Sequence, residues 1–150
     1  MAVREAYTRC EPLNDKGENM SDERMDPTVK ADWLTALRSG QYEQGVGALR
    51  QVGHAIGKKP RHCCLGVLED VCPLRKWVND DQTTDLDGTS NREGGVLSYT
   101  VQDWSGMPNR TGYVVLLDSG EHLCSVNLTD LNDSGKFTFD MIADVIEYAF

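Results

Sequence analysis

The stretch that decides the fold class is Tyr113–Val126, with the sequence YVVLLDSGEHLCSV. Two apolar runs, at 113–117 and 122–126, flank a short polar segment, Asp118–Glu121. Asp, Ser and Gly between two apolar runs are typical of the turn in an antiparallel hairpin. The sequence therefore predicts a small antiparallel sheet built around this hairpin.

Helical patterns lie on both sides of the hairpin. Four segments carry apolar residues at the i, i+3, i+4 spacing of a helix with one buried face. Each begins after a residue that can cap a helix N-terminus or ends at a glycine or proline. The segments are 27–38 after Asp26, 64–72 before Pro73, 99–105 after Ser98 and 139–150 after Thr138. We therefore predict an α+β fold, with about four helices packed on the small antiparallel sheet.

The rest of the chain divides by composition. Residues 1–25 are polar and charged without a sustained apolar period, which predicts a flexible acidic tail before a single domain at 26–150. Residues 41–60 contain four glycines and predict a long loop or short irregular strands. Residues 79–95 are rich in Asp, Asn, Thr, Ser and Gly and predict an exposed loop.

Charge is distributed unevenly in this chain of 150 residues with a net charge of -9. Residues 30–76 carry eight Lys and Arg against four carboxylates, whereas residues 77–150 carry three against thirteen. The acidic half would repel a phosphate backbone, so we expect no general nucleic-acid binding. The two charge blocks can also be ordinary solvated faces, or the basic block can hold a local anion pocket.

Hydropathy indicates a protein outside the membrane. No apolar run approaches the ~20 residues that a membrane span requires, and the N-terminus has no apolar signal segment. We therefore expect a cytoplasmic location. Five cysteines without an export signal favour reduced thiols over a disulfide framework.

The basic segment before the second predicted helix is the strongest candidate for a binding site. Its side chains, with the free N–H groups at the helix start, can hold a phosphate or carboxylate through charge-assisted hydrogen bonds. An ordinary solvated loop is the alternative. The candidate residues are Arg50, Lys58, Lys59, Arg61 and His62.

Two further groups carry polar or reactive side chains. Asn132, Asp133 and Ser134 can present hydrogen-bonding groups to a ligand or partner, although turn formation and capping also explain them. Cys63, near a helix N-terminus and beside His62, can have a lowered pKa and act as a nucleophile. The adjacent cysteines do not match zinc-site spacing, and no catalytic triad can be established from spacing. We therefore expect no metal, no cofactor and no enzymatic activity.

Several of these motifs together resemble a family of small, largely uncharacterised proteins of tailed bacteriophages. The matching residues are DWLTALRSG at 32–40, GALR at 47–50, CCLGVL at 63–68, LNDSG at 131–135 and the FxxIAxxI spacing at 139–146. The resemblance covers most of residues 25–150 and departs from the family pattern at 51–61 and 79–95. It implies an accessory protein that acts in the host cytoplasm, since small acidic phage proteins are often accessory factors that act on the host, and some of them inhibit host defence.

The leading hypothesis is therefore a non-enzymatic phage accessory protein that binds a small anionic ligand, such as a nucleotide immune signal, and counteracts host defence. One alternative is an inhibitor that binds a host protein through its acidic C-terminal half. A second alternative is a thiol enzyme that uses Cys63. The sequence leaves open whether the protein is a homo-oligomer.

Overall fold

The computed structural model describes residues 11–12, 25–53, 57–86, 88, 95–117 and 123–150. Within these ranges the chain forms five helices and eight short strands, which confirms the predicted α+β class. The helices are α1 (Pro27–Arg38), α2 (Cys64–Val71), α3 (Tyr99–Ser105), α4 (Leu128–Asp133) and α5 (Phe139–Ala149). No helix in the described ranges is long and apolar enough to cross a membrane.

The strands form three small sheets. They are β1 (Glu11–Pro12), β2 (Glu43–Gln44), β3 (Arg50–Gln51), β4 (Arg61–His62), β5 (Arg75–Asn79), β6 (Gln82–Asp85), β7 (Tyr113–Leu117) and β8 (Leu123–Asn127). Strand β8 lies between β1 and β7, β4 lies between β2 and β3, and β5 pairs with β6. All pairs are antiparallel except β2 with β4.

The predicted hairpin is confirmed in its strands. Tyr113 pairs with Asn127 and Leu117 with Leu123, whereas the predicted turn lies outside the described residues. The predicted flexible tail also lies outside them, apart from Met25, which is buried, and Glu11–Pro12, which pair with β8. The two-residue strand β1 therefore extends the hairpin into a three-stranded sheet.

The helix starts follow the predicted capping residues. The Asp26 carboxylate accepts hydrogen bonds from the backbone N–H groups of Thr28 (2.9 Å) and Val29 (3.1 Å). Ser98 and Thr138 cap α3 and α5 in the same way. Such side-chain caps satisfy N–H groups that have no partner inside a helix. The apolar faces of all five helices then join one core, in which Trp33 is fully buried.

The predicted exposed loop at 79–95 was wrong in part. Part of the predicted exposed loop at 79–95 is strand β6, in which Thr83 and Thr84 are buried. The short helix α4, which ends at Asp133, was not predicted from the sequence. Residues 87 and 89–94 lie outside the described part of the chain.

A buried ion pair attaches the β5–β6 hairpin to α2. The Arg75 and Glu69 side chains are 1% and 0% exposed, with 3.8 Å between Arg75 Nε and Glu69 Oε2. Arg75 also donates to Thr83 Oγ1, to the Thr83 carbonyl and to Asp85 Oδ1, at 2.6–2.9 Å. Glu69 accepts from Thr83 Oγ1 (3.1 Å) and from the Ser98 N–H (2.5 Å). Polar residues can be buried in this hairpin because their hydrogen bonds are made within the protein.

Helix α2 lies unusually close to the segment that leads into β3. A methyl group on Gly66 would lie 1.7 Å from the carbonyl oxygen of Leu49, so only glycine fits. The same carbonyl accepts a hydrogen bond from the Cys63 N–H at 3.1 Å. This close approach sets Arg50, the next residue along, beside β4.

Candidate functional site

A cleft of about 260 Å³ opens beside the β2–β4–β3 sheet. Its walls come from five parts of the chain: the segment after α1, strand β3, the segment leading into β4, strand β4 itself, and the last turn of α2. The lining residues are Gln41, Tyr42, Arg50, Lys59, Pro60, His62 and Asp70. Three of the predicted ligand-binding residues, Arg50, Lys59 and His62, therefore meet in one cleft.

Two aromatic side chains are held by one carboxylate beside this cleft. Tyr42 Oη donates to Asp70 Oδ2 at 2.6 Å, and Trp77 Nε1 donates to Asp70 Oδ1 at 2.7 Å. Burial, aided by the hydrogen bond to Asp70, raises the pKa of the Tyr42 hydroxyl. The phenol therefore stays neutral, and both Asp70 oxygens have a donor.

The His62 imidazole is in edge contact with both aromatic rings. Its centroid lies 5.1 Å from that of Tyr42 and 5.8 Å from that of Trp77, with interplanar angles of 87° and 67°. Such T-shaped contacts are a favoured geometry for ring pairs. His62 is 5% exposed, and neither ring nitrogen has a hydrogen-bond partner among the described residues.

Burial lowers the pKa of His62, and the positive charge of Arg50 lowers it further, while Asp70 opposes both effects. The imidazole is therefore neutral near pH 7, with one nitrogen as donor and the other as acceptor. Unpartnered buried polar groups are uncommon and costly in folded proteins. A buried, unpartnered imidazole in a cleft can bind a polar ligand without first giving up a hydrogen bond.

Arg50 is fixed in place by the β5–β6 hairpin. Its Nη2 donates to the Asn79 carbonyl at 2.8 Å and its Nε to the Asp80 carbonyl at 3.3 Å. The guanidinium carbon lies 4.4 Å from the centroid of the Trp77 ring, which is a cation–π distance. Nη1 makes no hydrogen bond within the described part of the chain, so a ligand that reached it would displace no protein acceptor.

The other two basic candidates lie outside the cleft. Lys58 is exposed and does not line it. Arg61 is exposed too, with its Nε 3.9 Å from Glu43 Oε2 on the neighbouring strand. Successive residues of a strand face opposite sides, so the burial of His62 leaves Arg61 on the outer face. The structure therefore separates Arg61 from His62.

The predicted contacts of Asn132 with a ligand are wrong. This residue is fully buried, and its amide makes four hydrogen bonds within the protein. Oδ1 accepts from the Cys64 N–H and Gln44 Nε2, while Nδ2 donates to the Gly45 carbonyl and Asp133 Oδ1, at 2.7–3.2 Å. Asn132 thus joins α4 to β2 and to the start of α2, and its side chain has no remaining group for a ligand.

The neighbours of Asn132 also have roles within the fold. Asp133 accepts a hydrogen bond from the Gly47 N–H at 3.1 Å. The Ser134 hydroxyl donates to the Leu131 carbonyl at 2.7 Å at the end of α4 and accepts from the Lys136 N–H at 3.2 Å. These are the turn and capping contacts that such side chains commonly make. Neither residue lines the cleft.

The predicted lowering of the Cys63 pKa is wrong. Burial raises the pKa of this thiol to about 11, and its Sγ accepts a hydrogen bond from the Gly66 N–H at 3.3 Å. Burial raises the pKa of Cys64 as well. Cys63 therefore serves as the cap of α2 and lacks the thiolate character of a nucleophile. The described residues contain no group of three His, Cys, Asp or Glu side chains that could hold a metal ion.

Sequence reasoning missed the residues that shape the cleft around His62. Tyr42, Asp70 and Trp77 come from three separate segments, and none belongs to a recognisable motif. The position of Asp70 in α2 gave one indication, because it lies outside the apolar face of that helix and so predicts an exposed carboxylate. Nothing in the sequence linked that carboxylate to the two aromatic residues.

The sequence of this chain matches the model of a protein family. The family model described as Domain of unknown function (DUF8296) matches residues 25–150. This match covers every residue that lines the cleft and every described element except β1, and the chain belongs to that family. No curated protein and no solved structure matches the chain.

Proposed function

We propose that this protein is a non-enzymatic binding protein whose cleft takes a small anionic ligand. The observation that carries the proposal is the buried imidazole of His62, which lacks a partner among the described residues and shares the cleft with Arg50 and Lys59. Different oxygens of one anion could accept hydrogen bonds from these side chains. Hydrogen bonds that involve charged groups are stronger than neutral ones, so anions gain most from such a site.

The size and charge of the cleft favour a small ligand. Ligand pockets usually span about 300–1,000 Å³, and this cleft of about 260 Å³ lies just below that range. Two cationic side chains line it with one carboxylate, Asp70, whose oxygens already accept two hydrogen bonds. We therefore propose a ligand the size of a phosphate or of the phosphate end of a nucleotide.

We further propose that the protein acts as a phage accessory factor that sequesters such a ligand in the host cytoplasm. Support for this role comes from the resemblance of the sequence motifs to tailed-phage proteins, together with the two cationic side chains that line the cleft. A nucleotide immune signal has the required negative charge. Its removal from solution would weaken a host defence that depends on it.

The acidic-surface alternative has less support. The exposed carboxylates of α5 include Asp144 and Glu147, and Arg38 from α1 binds both at 2.8 Å. This arginine offsets part of the negative charge that a mimic would present. The cysteine alternative lacks an activated thiol, because burial raises the pKa of Cys63.

Calorimetric titration with inorganic phosphate and with adenosine monophosphate tests the proposal. Lys59→Ala should weaken binding about fivefold to tenfold, because it removes one charged contact at the exposed rim. Lys58→Ala and Arg61→Ala remove the same charge outside the cleft and should change affinity less than twofold. Equal losses in all three variants would indicate attraction to the general charge of the segment, and absence of binding to both probes would contradict the proposal.

A further inference from the structure

We propose that the cleft binds a tetrahedral oxyanion together with a proton, which His62 takes up from solvent as the anion enters. This inference rests on the proposed function and deepens it, because it names the ligand chemistry and makes affinity depend on pH. The ligand is phosphate or a terminal phosphoryl group. The proton adds to the acceptor nitrogen of the neutral imidazole, and no covalent bond to the ligand forms.

The first step in the argument is the position of the imidazole. His62 lines the cleft, is 5% exposed and has both nitrogens unpartnered among the described residues. Tyr42 and Trp77 contact the ring by their own rings, so they supply no acceptor for a proton. A ligand oxygen would therefore complete the hydrogen bonding of the imidazole, and a second proton on the ring converts it into a cation next to that oxygen.

The second step is the balance of charge around the ring. Arg50 from β3 disfavours a charge on His62, and Asp70 from α2 favours one. Lys59 adds a positive charge from the segment before β4, whereas the outer strand face carries Arg61 and Glu43, which lie 3.9 Å apart and offset each other. Tyr42 stays neutral.

Without a ligand, burial and Arg50 outweigh Asp70 and keep the imidazole neutral. An anion in the cleft would offset the positive charge of Arg50 and Lys59 and would act in the same direction as Asp70. Opposite charges nearby favour the charged form of a titratable group. The anion therefore favours the charged form of His62, and the protein takes up a proton when the anion binds.

The third step is the shape of the ligand. Arg50 Nη1, Lys59 Nζ and an N–H of His62 come from three different segments that border one small cleft. A tetrahedral oxyanion presents acceptor oxygens in several directions, whereas a carboxylate presents two oxygens in one plane. Phosphate and sulfate therefore suit three separate donors better than a carboxylate does.

Calorimetric titration of the full chain with sulfate tests the inference, because sulfate keeps its charge from about pH 5 to about pH 8, the range in which histidine titrates. Affinity should rise as pH falls, by up to about tenfold per pH unit. Titrations in buffers with different ionisation enthalpies should show uptake of up to one proton. His62→Gln keeps a polar side chain that cannot ionise, so its affinity should lose this pH dependence, whereas Lys58→Ala should retain it.

The outcomes separate the two proposals. Binding of sulfate and phosphate that is independent of pH would overturn the proton uptake and leave the anion site in place. Failure of sulfate, phosphate and adenosine monophosphate to bind at any pH would overturn both. Weaker binding of adenosine monophosphate than of phosphate would assign the site to the free ion, and equal or tighter binding of the nucleotide would show that the site takes a terminal phosphoryl group.

A spectroscopic measurement on the unaltered protein covers the case in which His62→Gln fails to fold. Proton NMR titration of the histidine rings should show that sulfate raises the pKa of His62. The other two histidines of the chain supply internal references. A His62 titration that sulfate leaves unchanged, while the anion binds, would contradict the inference.

Discussion

The buried pair of Glu69 and Arg75 gives the sharpest stability prediction. Arg75→Met should lower the free energy of unfolding by about 3 to 5 kcal/mol, because it leaves the Glu69 carboxylate buried without its counter-charge. The geometry supports this size. At 3.8 Å and an effective dielectric constant of about 20, the attraction between the two charges is about 4 kcal/mol. Three further hydrogen bonds from Arg75 to Thr83 and Asp85 are lost with it.

Urea unfolding followed by circular dichroism measures this loss. Lys76→Met is the matched control, since Lys76 is the exposed neighbour in the same strand and should change stability by only about 0.5 kcal/mol. Adding Glu69→Gln to Arg75→Met should restore part of the loss, because the double variant buries no unpaired charge. If Arg75→Met costs less than about 1 kcal/mol, or if the second substitution adds to the loss, the charge argument is refuted.

Three other predictions test the packing and the titration of the fold. Gly66→Ala should lower the free energy of unfolding by about 3 kcal/mol or more, since the new methyl group would meet the Leu49 carbonyl and force a backbone shift, and thermal unfolding measures this. Asn132→Ala should cost about 3 kcal/mol in a urea titration, because it leaves the Cys64 N–H and other buried groups without partners. The free energy of unfolding should also fall as pH drops below about 6.5. In this range His62 binds a proton in the unfolded state, whereas burial lowers its pKa in the folded state and disfavours the protonated form there. His62→Phe keeps an aromatic ring at this position and should reduce the loss of stability at low pH, which urea titrations at two pH values would measure. The same loss in the variant as in the unaltered protein would contradict the assignment of this pH dependence to His62.

The main helices and the hairpin were predictable because their signals are local. In α1, the N-cap Asp26 and the apolar residues Val29, Trp33, Leu34 and Leu37 all lie within one short segment, and all four apolar residues are buried. In the hairpin, two apolar runs and a turn composition suffice to indicate antiparallel pairing. The burial of one face then stabilises each element in the way that its periodicity indicates.

Strand β6 was not predictable from hydropathy. Its sequence, QTTD, has the composition of a loop, and Thr83 becomes buried only because Arg75 and Glu69 bind its polar groups. Helix α4 was missed for a similar reason. Asn132 and Asp133 are residue types typical of turns, whereas their side chains make hydrogen bonds with Gln44 of β2 and with Gly47, which are distant in the sequence.

Only the basic residues of the candidate site could be predicted from the sequence. The basic composition of the segment indicated Arg50, Lys59 and His62, and the pairing of Arg50 with His62 between β3 and β4 brings two of them together. The same composition could not separate Lys59 from Lys58, because which side chain borders the cleft depends on the path of the backbone. The contacts of Asp70 with two aromatic rings arise only from tertiary packing.

The hydrogen bonds of Asn132 have a consequence for the order in which the cleft forms during synthesis. This amide holds Gly45, just after β2, and the first residue of α2, partners that precede it by 87 and 68 positions. Translation proceeds at about 5–20 residues per second, so the segments that border the cleft leave the ribosome several seconds before the side chain that joins them. A nascent chain stalled before Asn132 therefore contains every residue of the cleft and lacks the amide that holds its walls together. Ligand binding by stalled chains of increasing length should begin only after this residue has emerged.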